Sequence, residues 1–176
     1  MASLIVVTGP PGAGKSTVAQ LVAAAFETAV LVPGDDFFGF WTRGYVEPWL
    51  PEAREQNELV VRAAAAACGT FARGGCTAVY DGFLDPGFLP AFHAATGLPG
   101  LHYAALLPPL AECLDRVSGR IGHGFTDPTA TAHMHADFAA APLNPRHVIS
   151  TADDDPAAVA RSLLRRHREG ELRYPT

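Results

Sequence analysis

Apolar residues come along this chain in short unbroken runs that alternate with longer stretches in which they recur every three or four positions. Residues 4–7 are a continuous apolar run ending at Thr8 and a Gly/Pro cluster, the pattern of a strand buried on both faces. From Lys15 the spacing becomes helical, with Val18, Leu21, Val22, Ala25 and Phe26 on one face. Residues 29–32 predict a second strand, closed by Pro33 and Gly34. Residues 35–51 carry aromatics, Gly and Pro without periodicity and predict an irregular loop with room for a helical turn. A long helix opens at Pro51-Glu52, an order suited to a helix N-terminus, and runs through Cys68 to end at Gly69 or to fray toward Gly74.

Residues 77–80 predict a third strand ending in Asp81-Gly82, followed by a short helix near 88–95 and a fourth strand over 101–107. Pro108 and Pro109 break that strand. A helix over 110–117, reaching as far as Arg120, leads into a Gly-containing segment over 119–128 and a helix over 129–140. A last strand at 147–151 and a helix from 153–156 to near Gly170 complete the chain. Strands alternating with helices predict an α/β fold, a parallel sheet covered on both faces. No internal repeat and no linker interrupts it.

The length of 176 residues suits a single domain, and 48% hydrophobic with 18% charged residues is a globular composition. A net charge of -5 argues against nucleic acid or an anionic membrane as partner. The one dense basic run, Arg161 to Arg168, reads as the solvated end of the last helix. Cys68, Cys76 and Cys113 are odd in number and form no C-x-x-C pair, which fits a reducing, cytoplasmic compartment. No basic leader and no apolar run of bilayer length is present, so neither export nor membrane anchoring is expected.

Gly9-Pro10-Pro11-Gly12-Ala13-Gly14-Lys15-Ser16 matches the phosphate-binding loop G-x-x-x-x-G-K-[ST] without a mismatch, between a predicted strand and a predicted helix. Backbone N–H groups of such a loop point at phosphate oxygens, and the helix N-terminus adds a favourable dipole. Lys15, the only lysine in the chain, is placed to bridge the β- and γ-phosphates of ATP, Ser16 to ligate Mg²⁺, and Thr17 to add an α-phosphate contact.

Ligands of a parallel sheet bind beyond the carboxyl ends of its strands. Two such ends bear acids, Asp35-Asp36 after the second strand and Asp81 after the third. Asp35 is the first choice to orient or deprotonate an attacking hydroxyl, with Asp36 next; Asp81 is a candidate to hold Mg²⁺ through water or to orient the acceptor. Phe37, Phe38, Trp41 and their aromatic neighbours could line a partly apolar acceptor pocket, with Arg43 for a polar or anionic group, or simply pack a long loop. Arg116 and Arg120 lead into a lid over about 116–130 whose arginines would neutralise transition-state charge. His123, His133, His135 and Asp137 do not have the spacing of a zinc site, since His133 and His135 face different sides of a helix.

With these residues in hand, the chain resembles the small P-loop kinases of the shikimate kinase, gluconate kinase and chloramphenicol phosphotransferase group. The segment Gly34-Asp35-Asp36-Phe37-Phe38 is also similar to the Asp-x-aromatic segment of uridine kinase-like enzymes, whose first Asp serves as base. The resemblance implies a three-layer fold with a five-stranded parallel sheet in the order 2-3-1-4-5. It also implies ATP over the P-loop, Arg120 in the lid, and residues 151–155 beside the adenine. The activity implied is transfer of the γ-phosphoryl group of Mg-ATP to a hydroxyl of a small molecule, by a monomer or homodimer. The arginine set with which shikimate kinase holds a carboxylate has no counterpart here. An ATPase or switch without acceptor, and a nucleic-acid 5′-end kinase, are the competing readings.

Overall fold

The computed structural model describes residues 3–119, 126–151 and 155–175. Its first strand, β1 (Leu4–Thr8), is followed by α1 (Lys15–Ala23), β2 (Ala29–Pro33), a 3-10 segment (Gly34–Phe40), a 3-10 turn (Pro51–Ala53) and α2 (Arg54–Arg73). Then come β3 (Thr77–Asp81), a 3-10 turn (Pro86–Phe88), α3 (Leu89–Thr96), β4 (Leu101–Leu106), α4 (Leu110–Ser118) and α5 (Pro128–Ala140). A 3-10 turn (Pro145–His147), β5 (Val148–Ile149), α6 (Pro156–Arg168) and β6 (Arg173–Tyr174) end the chain. The parallel strands lie in the order β2-β3-β1-β4-β5.

Burial on both faces accounts for the unbroken apolar run of β1. Leu4 and Val6 pack with Val61, Ala64 and Cys68 of α2 and Phe92 of α3. Ile5 and Val7 turn the other way, onto Val18 and Val22 of α1 and Val159 and Leu163 of α6. Among the described residues no helix is long and apolar enough to cross a membrane.

Three features refine the sequence pattern. First, α2 takes the later of its two expected ends, running through Gly69 to Arg73 with Gly74 as its cap. Gly69 is a packing residue: a Cβ there would lie 1.9 Å from the Thr96 carbonyl oxygen at the end of α3. That same carbonyl accepts a hydrogen bond from Arg73. Gly69→Ala is therefore expected to destabilise the protein by about 2 kcal/mol or more, since backbone rather than a flexible side chain must yield. Urea denaturation checks this, and an unchanged midpoint would mean that α3 retreats freely.

Second, a sixth strand was not expected. β6 pairs antiparallel with β4, Leu101 opposite Tyr174 and His102 opposite Arg173, on the edge that β5 occupies further along. His147 bonds the Arg173 carbonyl through Nε2 at 3.0 Å, and the His93 and His147 rings stand edge-on to Tyr174. Third, β5 is shorter than the pattern predicted: His147 belongs to the preceding 3-10 turn, and the strand ends at Ile149, before Ser150 and Thr151.

Candidate active site

The loop between β1 and α1 curls about the Pro10 carbonyl, which accepts from the Ala13 N–H at 3.2 Å and from Lys15 Nζ at 3.1 Å. Gly14 caps α1 in the left-handed region, φ 85°, with no side-chain cap. The first-turn N–H groups of α1 therefore have no capping side chain, the arrangement that receives an anion at a helix N-terminus. Ser16 and Thr17 are exposed in that turn, and Lys15 is half-buried. Gly12 packs directly on α4, where Arg116 Nη1 donates to the Gly12 carbonyl at 3.3 Å and Nη2 pairs with Glu112 at 2.9 Å. Arg120 and His123 lie outside the described residues, as do residues 152–154 of the expected adenine border. His133 instead faces Asp137 at 3.7 Å, one turn along α5, and His135 bonds the Pro108 carbonyl.

Strand register brings the acids to the same end of the sheet. Asp81 is opposite Val7 of β1 on one side and Pro33 of β2 on the other. It is buried, and burial raises its pKa; the Ser16 hydroxyl, hydrogen-bonded to it, and Lys15 pull the other way, while Asp35 and Asp36 add to the rise. Its Oδ1 is buried with no hydrogen-bond partner in the protein. Asp35 is exposed, and its Oδ1 accepts the Phe83 N–H at 3.2 Å. Asp36 is exposed beside it. Phe38 and Trp41 are half-buried on the same segment, and Arg43 is exposed.

Sequence reasoning missed the parts that hold these acids apart. The Tyr80 ring, packed on Phe92, sits against both acid-bearing turns: a Cβ on Gly34 would lie 2.3 Å from its hydroxyl, and one on Gly82 would lie 2.9 Å from it. Thr8 closes the turn from below, its hydroxyl accepting the Leu84 N–H at 2.9 Å. Phe83 packs edge-on against Phe138 of α5, so that helix also borders the acid-bearing end of the sheet. The repeated Gly beside Asp in Gly34-Asp35 and Asp81-Gly82 was the available signal, since both glycines make room for one ring.

The buried carboxyl gives a test. Because the folded state favours the neutral form of Asp81, the unfolded chain loses its proton first, and stability falls as pH climbs from the ordinary carboxylate range through the raised folded pKa. Asp81→Asn removes that slope and is expected to melt higher than wild type at pH 7, while any Mg²⁺-dependent turnover falls by about 10²-fold. Thermal melts across pH 4 to 8 check the first half; a lower Tm at pH 7 would mean that the Ser16 bond outweighs the burial.

The fold and its strand order are those of the small P-loop kinases, the group that the sequence resembles. Among solved structures, the tunicamycin resistance protein of Deinococcus radiodurans matches with a TM-score of 0.71 and 16% identity over 100% of both chains. A sugar kinase from Janibacter sp. matches at 0.69 and 20% identity over 94% of both. Shikimate kinase from Acinetobacter baumannii, in complex with shikimate, matches at 0.62 and 16% identity over 98% of this chain and 96% of that one. No protein-family model and no curated protein sequence matches the chain.

Proposed function

We propose that this protein is an ATP- and Mg²⁺-dependent kinase that transfers the γ-phosphoryl group to a hydroxyl of a small molecule, acting as one domain in a reducing compartment. The observation that carries the proposal is the Asp35 carboxylate, exposed but anchored to the Phe83 N–H, at the same sheet end as Lys15, the exposed Ser16 and the buried Asp81. The kinases among the structural neighbours support it.

The residues fit the groups this chemistry needs. Ser16 and Asp81 supply hard oxygen donors, and the unpartnered Oδ1 of Asp81 leaves a carboxylate oxygen for a hydrated divalent cation. Mg²⁺ held there would neutralise charge on the β- and γ-phosphates. Lys15 would leave the Pro10 carbonyl for the same phosphate oxygens. Thr17, Ala13 and the loop glycines Gly9, Gly12 and Gly14 would complete the phosphate cradle. Asp35 accepts the proton of the acceptor hydroxyl as its oxygen bonds to the γ-phosphorus, and the bond from that phosphorus to the β,γ-bridging oxygen breaks to release ADP. Asp36 shares the acidic field and is the reserve base. Arg116 stands over the P-loop on the edge of the lid and, with Arg120, is the candidate to stabilise the transferring group.

The protein is to be incubated with Mg-ATP and pooled hydroxyl compounds, and products heavier by one phosphoryl group sought by mass spectrometry. Asp35→Asn is expected to lower kcat by about 10²-fold or more with ATP affinity retained. ATP hydrolysis without any modified acceptor, unaffected by Asp35→Asn, would make an ATPase the better reading.

A further inference from the structure

Residues 35–62, which begin at the proposed base, have an unusual surface. They hold six carboxylates, Asp35, Asp36, Glu47, Glu52, Glu55 and Glu58, against three arginines. Arg62 faces one of those carboxylates, Glu58, at 4.0 Å, and Arg54 lies 5.4 Å over the Phe88 ring. The acids exceed the arginines by three, so an anionic acceptor would approach Asp35 and Asp36 against a surplus of like charge.

The same segment also exposes large apolar side chains. Of the seven large hydrophobic side chains exposed among the described residues, five lie within 40–59: Phe40 (73% exposed), Tyr45, Trp49, Leu50 and Leu59 (58%). Phe40 adjoins the acids, because Phe37 follows Asp36 directly and packs its ring on Phe40 with centroids 5.2 Å apart. It is also held in place. Gln56 of α2 accepts from the Val46 N–H at 2.8 Å and donates to the Val46 carbonyl at 2.6 Å, and Asn57 donates to the Pro48 carbonyl at 2.7 Å. A loop stapled in this way presents its aromatic side chains on a fixed frame. An exposed apolar surface rimmed by charge marks a binding surface, and a preorganised one loses less ordering entropy on binding.

Resting on the kinase reading, we infer that the phosphoryl acceptor is a non-anionic hydroxyl compound with an aromatic or branched apolar body, which lies along Phe40, Trp41, Tyr45 and Trp49 while its hydroxyl reaches Asp35. The negative surround favours a neutral or amine-bearing acceptor, and the aromatic surface favours an apolar body over a sugar acid.

Trp41 and Trp49 are the only tryptophans in the chain, so its intrinsic emission reports on this segment alone. The full-length protein with Mg-ATP is given two pools, neutral aryl alcohols with aryl amino alcohols in one, gluconate and shikimate in the other. The expected result is a phosphorylated product from the first pool, with a tryptophan emission change that saturates over the same concentration range. Phe40→Ser, at an exposed position where folding is not at stake, is expected to raise the KM for that acceptor about tenfold while the KM for ATP holds. Preferential phosphorylation of gluconate or shikimate would overturn the inference and leave the kinase reading standing. Modification of neither pool, with ATP bound normally, would also overturn the inference, and the kinase reading would then fall only if ATP hydrolysis proceeds with no acceptor modified and is unaffected by Asp35→Asn. Sedimentation velocity supplies the remaining arm: a dimer that Phe40→Ser converts to monomer would show that a second copy of the chain covers the patch, and would also overturn the inference.

Discussion

Lys15→Ala is expected to lower kcat/KM for phosphoryl transfer by about 10³-fold or more, the largest activity loss of any single substitution at this site. Lys15 is the only lysine in the chain, and twelve arginines fill every other basic position. Its Nζ donates to the Pro10 carbonyl inside the loop and acts on the buried Asp81 carboxyl, lowering a pKa that burial pushes up. Alanine therefore removes both the cation proposed to face the phosphates and one of the two groups that offset the effect of burial on Asp81. Lys15→Arg is not expected to rescue activity, because a planar guanidinium with fixed donors cannot replace a compact ammonium on a short loop. Steady-state kinetics with the identified acceptor, beside a thermal melt and titration of a fluorescent nucleotide, separate lost chemistry from lost folding. Transfer within tenfold of wild type would remove Lys15 from the mechanism.

The strand, loop and helix start at the head of the chain were legible in the sequence because they are local. All three lie within residues 4–16, and eight consecutive residues specify the backbone geometry of the loop. Strand order was legible only through the resemblance, although the continuous run of β1 already required cover on both faces, which Leu4 and Val6, and Ile5 and Val7, provide in opposite directions. What could not be read was tertiary. Gly69 looks like a helix end until the Thr96 carbonyl is placed beside it, and β6 is two residues long, too short for any period. Tyr80 against Gly34, 46 positions away, left only the paired Gly-Asp turns as a signal, and the bond from Arg116 to the Gly12 carbonyl, across 104 positions, left none. The acceptor segment was recognised as aromatic, but its exposure and its ties to Gln56 and Asn57 depend on how α2 lies against it.

Gly12→Ala and Gly14→Ala are expected to fail in different ways, although the two glycines stand two residues apart with nearly the same backbone conformation, φ 81° and 85°. Each substitution forces a left-handed conformation on alanine, at about 1 kcal/mol. At Gly12 the added Cβ would also lie 2.4 Å from the Cys113 carbonyl oxygen and 2.8 Å from its Cα, both backbone atoms of α4. The helix cannot yield without dragging Arg116 off the Gly12 carbonyl, so Gly12→Ala should cost about 3 kcal/mol or more and lower the unfolding midpoint. At Gly14 nothing lies within 4 Å of the added Cβ. The folded protein should therefore tolerate Gly14→Ala with only the backbone cost, while the methyl group enters the space above the first turn of α1 where the phosphates are proposed to sit. Urea denaturation is expected to separate the two variants by about 2 kcal/mol, and nucleotide titration to show at least about tenfold weaker binding for the stable one. Equal midpoints would contradict the packing of the loop on α4. Wild-type nucleotide affinity in Gly14→Ala would mean that the phosphates do not lie at this helix end, and with that the assignment of Lys15 and Ser16 would fall as well.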